Sequence, residues 1–134
     1  TVSITSGESS PTDANPIPVT ITFSENVSGF VVGDISVGNG TAGNFQTVNA
    51  FTYTIDVTPT ADGAVTVDVA AEVAQDAAGN DNEVAPQFSI TYDSTNPTIS
   101  ITSGESSPTN ANPIPITITF SEAVTGFVLG DLYH

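Results

Sequence analysis

The stretch TVSITSGESSPTDANPIPVTITFSENVSGFVVGDI, residues 1–35, decides the fold because the chain contains it twice. It returns at residues 98–132 as TISITSGESSPTNANPIPITITFSEAVTGFVLGDL, with mild changes such as Val2 to Ile99 and Ser28 to Thr125. Near-identity at a spacing of 97 residues indicates duplication of a whole folding unit. We therefore expect one complete repeat over residues 1–97. Residues 98–134 are then the N-terminal part of a second repeat, too short to bury a core unaided.

The charge of the chain restricts its partners. All fifteen charged side chains are acidic, and there is no Lys or Arg, so the carboxylates have no Lys or Arg partner for a salt bridge. Nucleic acid is not expected as a partner because phosphate binding needs the missing cations. Direct membrane insertion is not expected, since no apolar run approaches the roughly 20 residues of a span. With no Cys and one His, disulfides and zinc sites are not expected either.

Apolar residues alternate with polar ones along most of the chain, and Gly, Pro, Asn and Asp separate the alternating runs. This pattern is typical of an antiparallel β-sandwich. We expect an all-β fold of seven strands, A to G, with a hairpin at Gly38-Asn39-Gly40 between strands C and D. The predicted strands are residues 1–6, 17–24, 30–37, 42–48 (weak), 51–58, a sixth around 65–69 after the turn that ends at Gly63, and 85–92. Strand E is expected to place Phe51, Tyr53, Ile55 and Val57 on one face.

The acidic residues are expected at the two ends of the sandwich, because successive loops alternate between its ends. The B–C, D–E and F–G loops would share one end, with Glu25, Glu72, Asp76, Asp81 and Glu83. The other end would hold Glu8, Asp13, Asp62 and Asp93. Head-to-tail stacking of repeats would bring acids against acids, and such a junction needs cations.

Calcium is the cation that these residue types favour. Asp76, Asn80 and Asp81 offer side-chain oxygens in the loop of residues 72–83, and Gly79 permits a tight turn. Calcium takes six to eight oxygen ligands, more than one loop supplies. We therefore expect Glu25 to complete a first-unit site, and Asp93 with Glu122 to contribute to a junction site. The alternative is that these are solvated carboxylates that keep the protein soluble. Asp34, repeated as Asp131, is expected to have a structural role.

Several segments together resemble a known family. They are FSENVSGF, GDISVGNGT, TPTADGAVTVDVAA, QDAAGND and YDSTNPT, with FSEAVTGF and GDL in the second unit. This combination resembles the bacterial immunoglobulin-like repeats of large surface proteins and adhesins. The resemblance implies an immunoglobulin-like sandwich in tandem, an extracellular or cell-surface location, and stiffening by calcium. Tyr133 and His134 depart from Ser36 and Val37 of the first unit, and we assign them no function.

Three functions compete. The leading one is a structural spacer or stalk repeat whose partners are neighbouring repeats. The second is a self-assembling filament subunit, in which identical chains complete the second unit by strand addition. The third is a carbohydrate- or protein-binding module, for which Phe45, Phe51 and Tyr53 are the clustered aromatic candidates. Catalysis is not expected, because there is no Trp, no Lys or Arg to tune a general acid, and no His placed to activate a nucleophile.

Overall fold

The computed structural model describes residues 1–132, so Tyr133 and His134 lie outside the described residues. The chain divides into two compact units, the first Thr1–Ser94 and the second from Thr95 onward. The strands of the first unit are β1 (Val2–Thr5), β2 (Ile17–Phe23), β3 (Ile35–Gly38), β4 (Gly40–Asn49), β5 (Thr52–Pro59), β6 (Gly63–Val69) and β7 (Phe88–Tyr92).

Two antiparallel sheets build the first unit. One sheet has four strands in the order β1-β2-β5-β4, and the other has three in the order β3-β6-β7. In the centre of the larger sheet Val19 pairs with Ile55 and Ile21 with Tyr53. In the smaller sheet Val67 lies between Val37 and Phe88. The structure thus confirms an all-β fold of antiparallel sheets.

The alternating residues of β2, β5 and β6 form the core between the sheets. Side chains at every second position of these strands are buried, and those between them are exposed or half-buried. The most deeply buried large side chains are Ile17, Val19, Ile21, Ile55, Val57, Val65, Val67 and Val69. β-Branched residues dominate this set because they pack well on a pleated surface.

Aromatic rings close the core at the end where β2 finishes. Phe30 packs edge-on against Phe23 and Tyr53, with ring centroids 5.1 and 5.0 Å apart. Phe45 stacks on Tyr53 at 5.7 Å. The edge-to-face geometry is the favoured one for aromatic pairs.

The predicted strand C is wrong over its first half. Residues Val32–Asp34 form a 3-10 helix, and the strand itself is only Ile35–Gly38. The Asp34 carboxylate accepts a hydrogen bond from the Val31 N–H at 2.9 Å, and the Asp34 N–H donates to the Val31 carbonyl at 3.0 Å. These local bonds satisfy backbone groups that a strand would pair across a ladder. Asp34 therefore has the structural role expected of it, although in a helical turn.

The predicted hairpin between strands C and D is also wrong. Strand β3 belongs to the three-stranded sheet and β4 to the four-stranded sheet, so the connection crosses between sheets. Asn39 does adopt positive φ, at 57°, as the turn chemistry suggested. Its side-chain amide donates to the Ala61 carbonyl at 2.8 Å, which ties the crossing to the β5–β6 turn.

Strands D, E and G differ from their predicted bounds. The strand predicted to be weak is β4, the longest of the unit at 10 residues, and it contains a bulge between Gly43 and Gln46 where Asn44 has φ 49°. Phe51 precedes β5 and is 40% exposed, so it does not share the buried face of Tyr53 and Ile55. Strand β7 begins only at Phe88.

The second unit repeats the start of the first. Its strands β8 (Ile99–Thr102) and β9 (Thr117–Phe120) pair antiparallel, and a 3-10 helix spans Leu129–Leu132. Ile99 pairs with Phe120, as Val2 pairs with Phe23 in the first unit. The Asp131 carboxylate accepts from the Val128 N–H at 3.0 Å, which matches the contact of Asp34. The same local sequence therefore forms the same local structure in both units.

Candidate functional site

Three loops meet at one end of the first unit, as alternation of the loops predicts. In the β2–β3 connection Ser28 exchanges two backbone hydrogen bonds with Gln75 of the β6–β7 loop, at 2.8 and 3.1 Å. Val27 donates to the Ala50 carbonyl in the β4–β5 turn at 2.9 Å. These bonds bring Glu25 and the acidic β6–β7 loop to the same end of the sandwich.

Asp76 organises the tip of the β6–β7 loop. Its Oδ1 accepts hydrogen bonds from the backbone N–H groups of Ala78 at 2.8 Å and Asn80 at 2.9 Å. Its Oδ2 accepts from the Asn80 side-chain amide at 2.9 Å. Gly79, with φ 86°, supplies the left-handed conformation that the turn requires. The hydrogen bonds from the Asn80 side chain and backbone lower the pKa of Asp76 from 3.8 to about 2.

The Glu25 carboxyl group lies beside the carboxylate of Asp76. A side-chain hydrogen bond to Asp76, followed by repulsion from its negative charge, raises the pKa of Glu25 above its ordinary value of 4.5. Two carboxyl groups this close favour a shared proton or a shared cation. The structure thus joins two of the predicted ligands, one from each of two loops.

A pocket of about 220 Å³ opens beside this carboxyl pair. Its lining includes four acidic side chains. The lining residues are Thr1, Phe23, Ser24, Glu25, Val27, Asp76, Asn80, Asp81, Asn82 and Glu83. All four of the ligands predicted for the first-unit site therefore border one cavity.

The acidic side chains do not converge on a single point. Asp81 accepts a hydrogen bond from the Gln75 side-chain amide at 2.8 Å, which engages one of its oxygens. Within residues 1–132 no three His, Asp or Glu side chains form a group able to hold a metal ion. The close pair is Glu25 with Asp76, and other donors would have to turn toward it.

The two residues predicted for a junction site lie in different units. Asp93 follows β7, and its N–H donates to the Thr12 carbonyl at 2.9 Å. Glu122 follows β9 in the second unit, at the position that Glu25 occupies in the first. A joint role for Asp93 and Glu122 stays a prediction.

Asn82 is the important loop residue that sequence reasoning missed. It is 9% exposed, and its Oδ1 accepts from the backbone N–H groups of Val73 and Ala74, both at 2.9 Å. Its Nδ2 donates to the carbonyls of Ala70 and Glu83, also at 2.9 Å. The polar residues at positions 80–83 follow one another directly, and no periodicity in the sequence indicates that Asn82 is the buried one. Asn82 holds the base of the loop that carries Asp76.

The aromatic residues considered for sugar binding are largely committed to the core. Tyr53 is 5% exposed, and Phe45 is half-buried against it. Only Phe51 presents a substantial part of its ring to solvent. An open aromatic platform of the kind that would stack on a sugar ring is therefore not formed by these three residues.

Comparison with protein families matches residues 1–92 and 93–134 to the family described as bacterial Ig-like domain. The chain belongs to the bacterial Ig-like domain family. Domains of this family are repeat modules of extracellular and surface proteins, and they are typically non-catalytic. Neither the curated proteins nor the solved structures contain a match to this Ig-like chain. No helix among residues 1–132 is long and apolar enough to cross a membrane.

Proposed function

We propose that this chain is a spacer segment in the stalk of an extracellular adhesin or surface fibre. The observation that carries the proposal is the recurrence of residues 1–35 at residues 98–132 in a chain matched throughout to bacterial Ig-like domains. Nearly identical units in tandem add length without adding a new binding site. A spacer of this kind acts through its length and stiffness.

The last residues of the first unit are bonded to the rest of that unit. The Asp93 N–H donates to the carbonyl of Thr12, which is 8% exposed. The N–H and hydroxyl of Ser94 both donate to Asp62 Oδ1, at 3.0 and 2.7 Å. The first unit thus holds the chain as far as Ser94. Pro97 precedes the recurring stretch, and its ring restricts its own backbone.

We propose in addition that calcium stiffens the end of the unit that carries Glu25 and Asp76. The donor set is made only of oxygens, which suits a hard cation. Glu25 and Asp76 would hold the ion, and Asp81 and Glu83 border the same pocket. A bound divalent cation would cancel the repulsion within the carboxyl pair and link the β2–β3 connection to the β6–β7 loop. The partial fit of the side chains argues for modest affinity.

Thermal unfolding in calcium, in magnesium and in chelator tests the calcium proposal. Calcium at 100 times its dissociation constant would stabilise the fold by about 2.7 kcal/mol. The substitution Glu25→Gln should abolish the calcium-dependent rise in Tm. Glu122→Gln is the matched control, because it changes the equivalent position of the second unit. If Glu122→Gln also reduces the rise, the junction contributes to binding. An unchanged Tm in calcium would contradict the proposal.

A filament subunit is the second candidate function, favoured by the exposed apolar residues of β8. Ile99 is 53% exposed, whereas Val2, the equivalent residue of the first unit, is 4% exposed. Ile101 is 64% exposed. These residues could be covered by strands of an identical chain. Light scattering and small-angle X-ray scattering of the 134-residue chain, in calcium and in chelator, separate the two functions. A monomer that gains order with calcium supports the spacer, and fibres support the filament.

A further inference from the structure

Asn39 is the only asparagine of the chain that is followed by glycine. In such a pair the backbone nitrogen of the glycine can attack the carbonyl carbon of the asparagine side chain, because glycine has no Cβ to hinder the approach. A bond forms between the Gly40 nitrogen and Asn39 Cγ, the Cγ–Nδ2 bond breaks, and ammonia leaves with the proton of the Gly40 amide. The product is a succinimide ring.

Water then opens the succinimide at either of its two carbonyl groups. Cleavage of the bond between the nitrogen and Cγ leaves aspartate at position 39. Cleavage at the main-chain carbonyl leaves isoaspartate, in which the backbone continues through the side chain and is longer by one carbon. Water is the only co-reactant, so the reaction needs no metal or oxidant. Both products carry a negative charge that Asn39 lacks.

The fold requires glycine at position 40. Gly40 is the first residue of β4 and pairs with Pro59 of β5. A Cβ atom on Gly40 would lie 2.9 Å from the Thr58 carbonyl oxygen and 3.2 Å from Val57 Cγ1. The first of these separations is closer than Cβ atoms approach other atoms, and the obstacle is backbone. Close packing of β4 on β5 therefore selects glycine after Asn39, and with it the reactive pair.

Asn39 itself is held in a conformation that cannot form the ring. Its φ of 57° is in the left-handed region, where ψ is about +47°. At such a ψ the Gly40 nitrogen points away from the Asn39 side chain. The Asn39 carbonyl accepts from the Thr60 N–H at 3.0 Å, and its side-chain amide donates to the Ala61 carbonyl at 2.8 Å. Ring closure needs rotation of the carbonyl and of the side chain, so both hydrogen bonds must break first.

We propose that Asn39 is a deamidation site that the folded first unit protects and that reacts when the crossing at Asn39 opens. Opening of a local segment costs less free energy than global unfolding. Each opening releases both hydrogen bonds and frees Asn39 to reach the geometry of the ring. Because hydrolysis of the succinimide is irreversible, the modification accumulates with the time that the crossing has spent open.

The modified residue no longer fits the crossing. A carboxylate at position 39 has no N–H to donate to the Ala61 carbonyl, and it places oxygen against oxygen. A Cβ atom on Gly63 would lie 4.0 Å from Asn39 Nδ2, so the new charge lies against the β5–β6 turn, which also contains Asp62. Isoaspartate in addition shifts the start of β4 relative to β5. A chain that has opened and reacted therefore re-forms this part of the fold less stably.

Mass spectrometry of peptides from the 134-residue chain, after incubation in mildly alkaline buffer with and without urea, tests the protection. A synthetic peptide of residues 36–43 in the same two solutions measures the unprotected reaction. We expect Asn39 to deamidate at least about tenfold more slowly in the folded chain than in the peptide, because the reaction follows the open fraction. In urea the two rates should become equal. Equal rates without urea would overturn the proposal, and so would absence of reaction at Asn39 in the unfolded chain.

A pair of core variants separates opening of the crossing from global unfolding. Val57 and Val69 are both 0% exposed, but Val57 packs beside Gly40 whereas Val69 lies at the end of β6 away from the crossing. Val57→Ala should accelerate deamidation of the folded chain more than Val69→Ala does. Equal rates in the two variants, or no acceleration by Val57→Ala, would overturn the proposal.

Asn39→Asp reproduces one of the two products and tests its effect on the fold. It should lower Tm by about 5 °C, because a hydrogen bond is lost and its acceptor is left facing a carboxylate. Asn110→Asp is the matched control, since it makes the same change of charge at an exposed position where the first unit has Asp13. Equal Tm values for these two variants would overturn the expected disruption of the crossing. The inference is independent of the spacer function and of calcium binding.

Discussion

Replacing Asn82 with alanine should destabilise the first unit strongly, although it removes no apolar core residue. The Asn82 side chain makes four hydrogen bonds, two accepted by Oδ1 and two donated by Nδ2. The substitution would leave the N–H groups of Val73 and Ala74 without that acceptor. Ala74 is 3% exposed, so water cannot readily replace the lost bond there.

The magnitude follows from the burial of these groups. A buried donor left without an acceptor costs about 1–3 kcal/mol. The loss of the acceptor of the buried Ala74 N–H should cost an amount in the middle of that range. The loss for the Val73 N–H, which belongs to a half-buried residue, should cost an amount at its lower end. Allowing for the two carbonyls that also lose a donor, we expect a loss of about 3 kcal/mol in the free energy of unfolding.

Urea unfolding followed by circular dichroism measures this loss, and hydrogen exchange locates it. In the Asn82→Ala protein the amides of Val73 and Ala74 should exchange much faster. Asn80→Ala is the control, because Asn80 is exposed and its side chain makes the single bond to Asp76. That change should cost less than about 1 kcal/mol. A cost no greater for Asn82→Ala than for Asn80→Ala, or unchanged exchange at Val73 and Ala74, would refute the reasoning.

Three further predictions concern the core, the backbone and pH. Ile55→Ala should lower the free energy of unfolding, measured in urea, by about 2–5 kcal/mol, because Ile55 is 1% exposed. Ile101→Ala, at a 64% exposed position, should lower it by less than about 0.5 kcal/mol. Similar losses for the two variants would contradict the assigned core. Glu72 has φ 64°, so Glu72→Gly should raise stability by about 1 kcal/mol and Glu72→Ala should not; equal effects would exclude backbone strain as the cause. Because the pKa of Asp76 is lowered to about 2, its stabilising contribution should be present above its ordinary pKa of 3.8 and lost as pH falls toward 2. The raised pKa of Glu25 has the opposite effect on stability. Protonated Glu25 favours the folded state at low pH, and this contribution is lost as the pH rises through the pKa of Glu25 in the folded protein. Carboxyl carbon NMR titration measures both groups, and an ordinary pKa for Asp76 would contradict its hydrogen bonding to Asn80.

The sequence predicted most of the strands because their side chains alternate. Strands β2, β5 and β6 lie close to their predicted positions, and their alternate residues form the core. Alternation failed where local hydrogen bonding competes with a sheet. Residues 30–34 were predicted as the first part of strand C, yet the Asp34 carboxylate closes a helical turn on Val31.

The candidate site was predicted in part. Loop alternation correctly placed Glu25 at the same end as Asp76, because strand direction determines which loops are neighbours. Neither the exchange of bonds between Ser28 and Gln75 nor the engagement of Asp81 by Gln75 could be predicted from spacing. Those contacts depend on side-chain orientations that no periodic pattern encodes.

By itself, the sequence determined the repeat, the all-β class and the acidic character, because these follow from the order and type of residues along the chain. Only the tertiary structure decided that the chain crosses between sheets at Asn39, that Asn82 is buried, and that β3 and β4 contact each other as edges of different sheets. Each of these depends on segments far apart in sequence that pack against each other. The preference of each residue for helix or strand does not determine which arrangement of distant segments buries the most apolar surface and also pairs every buried polar group.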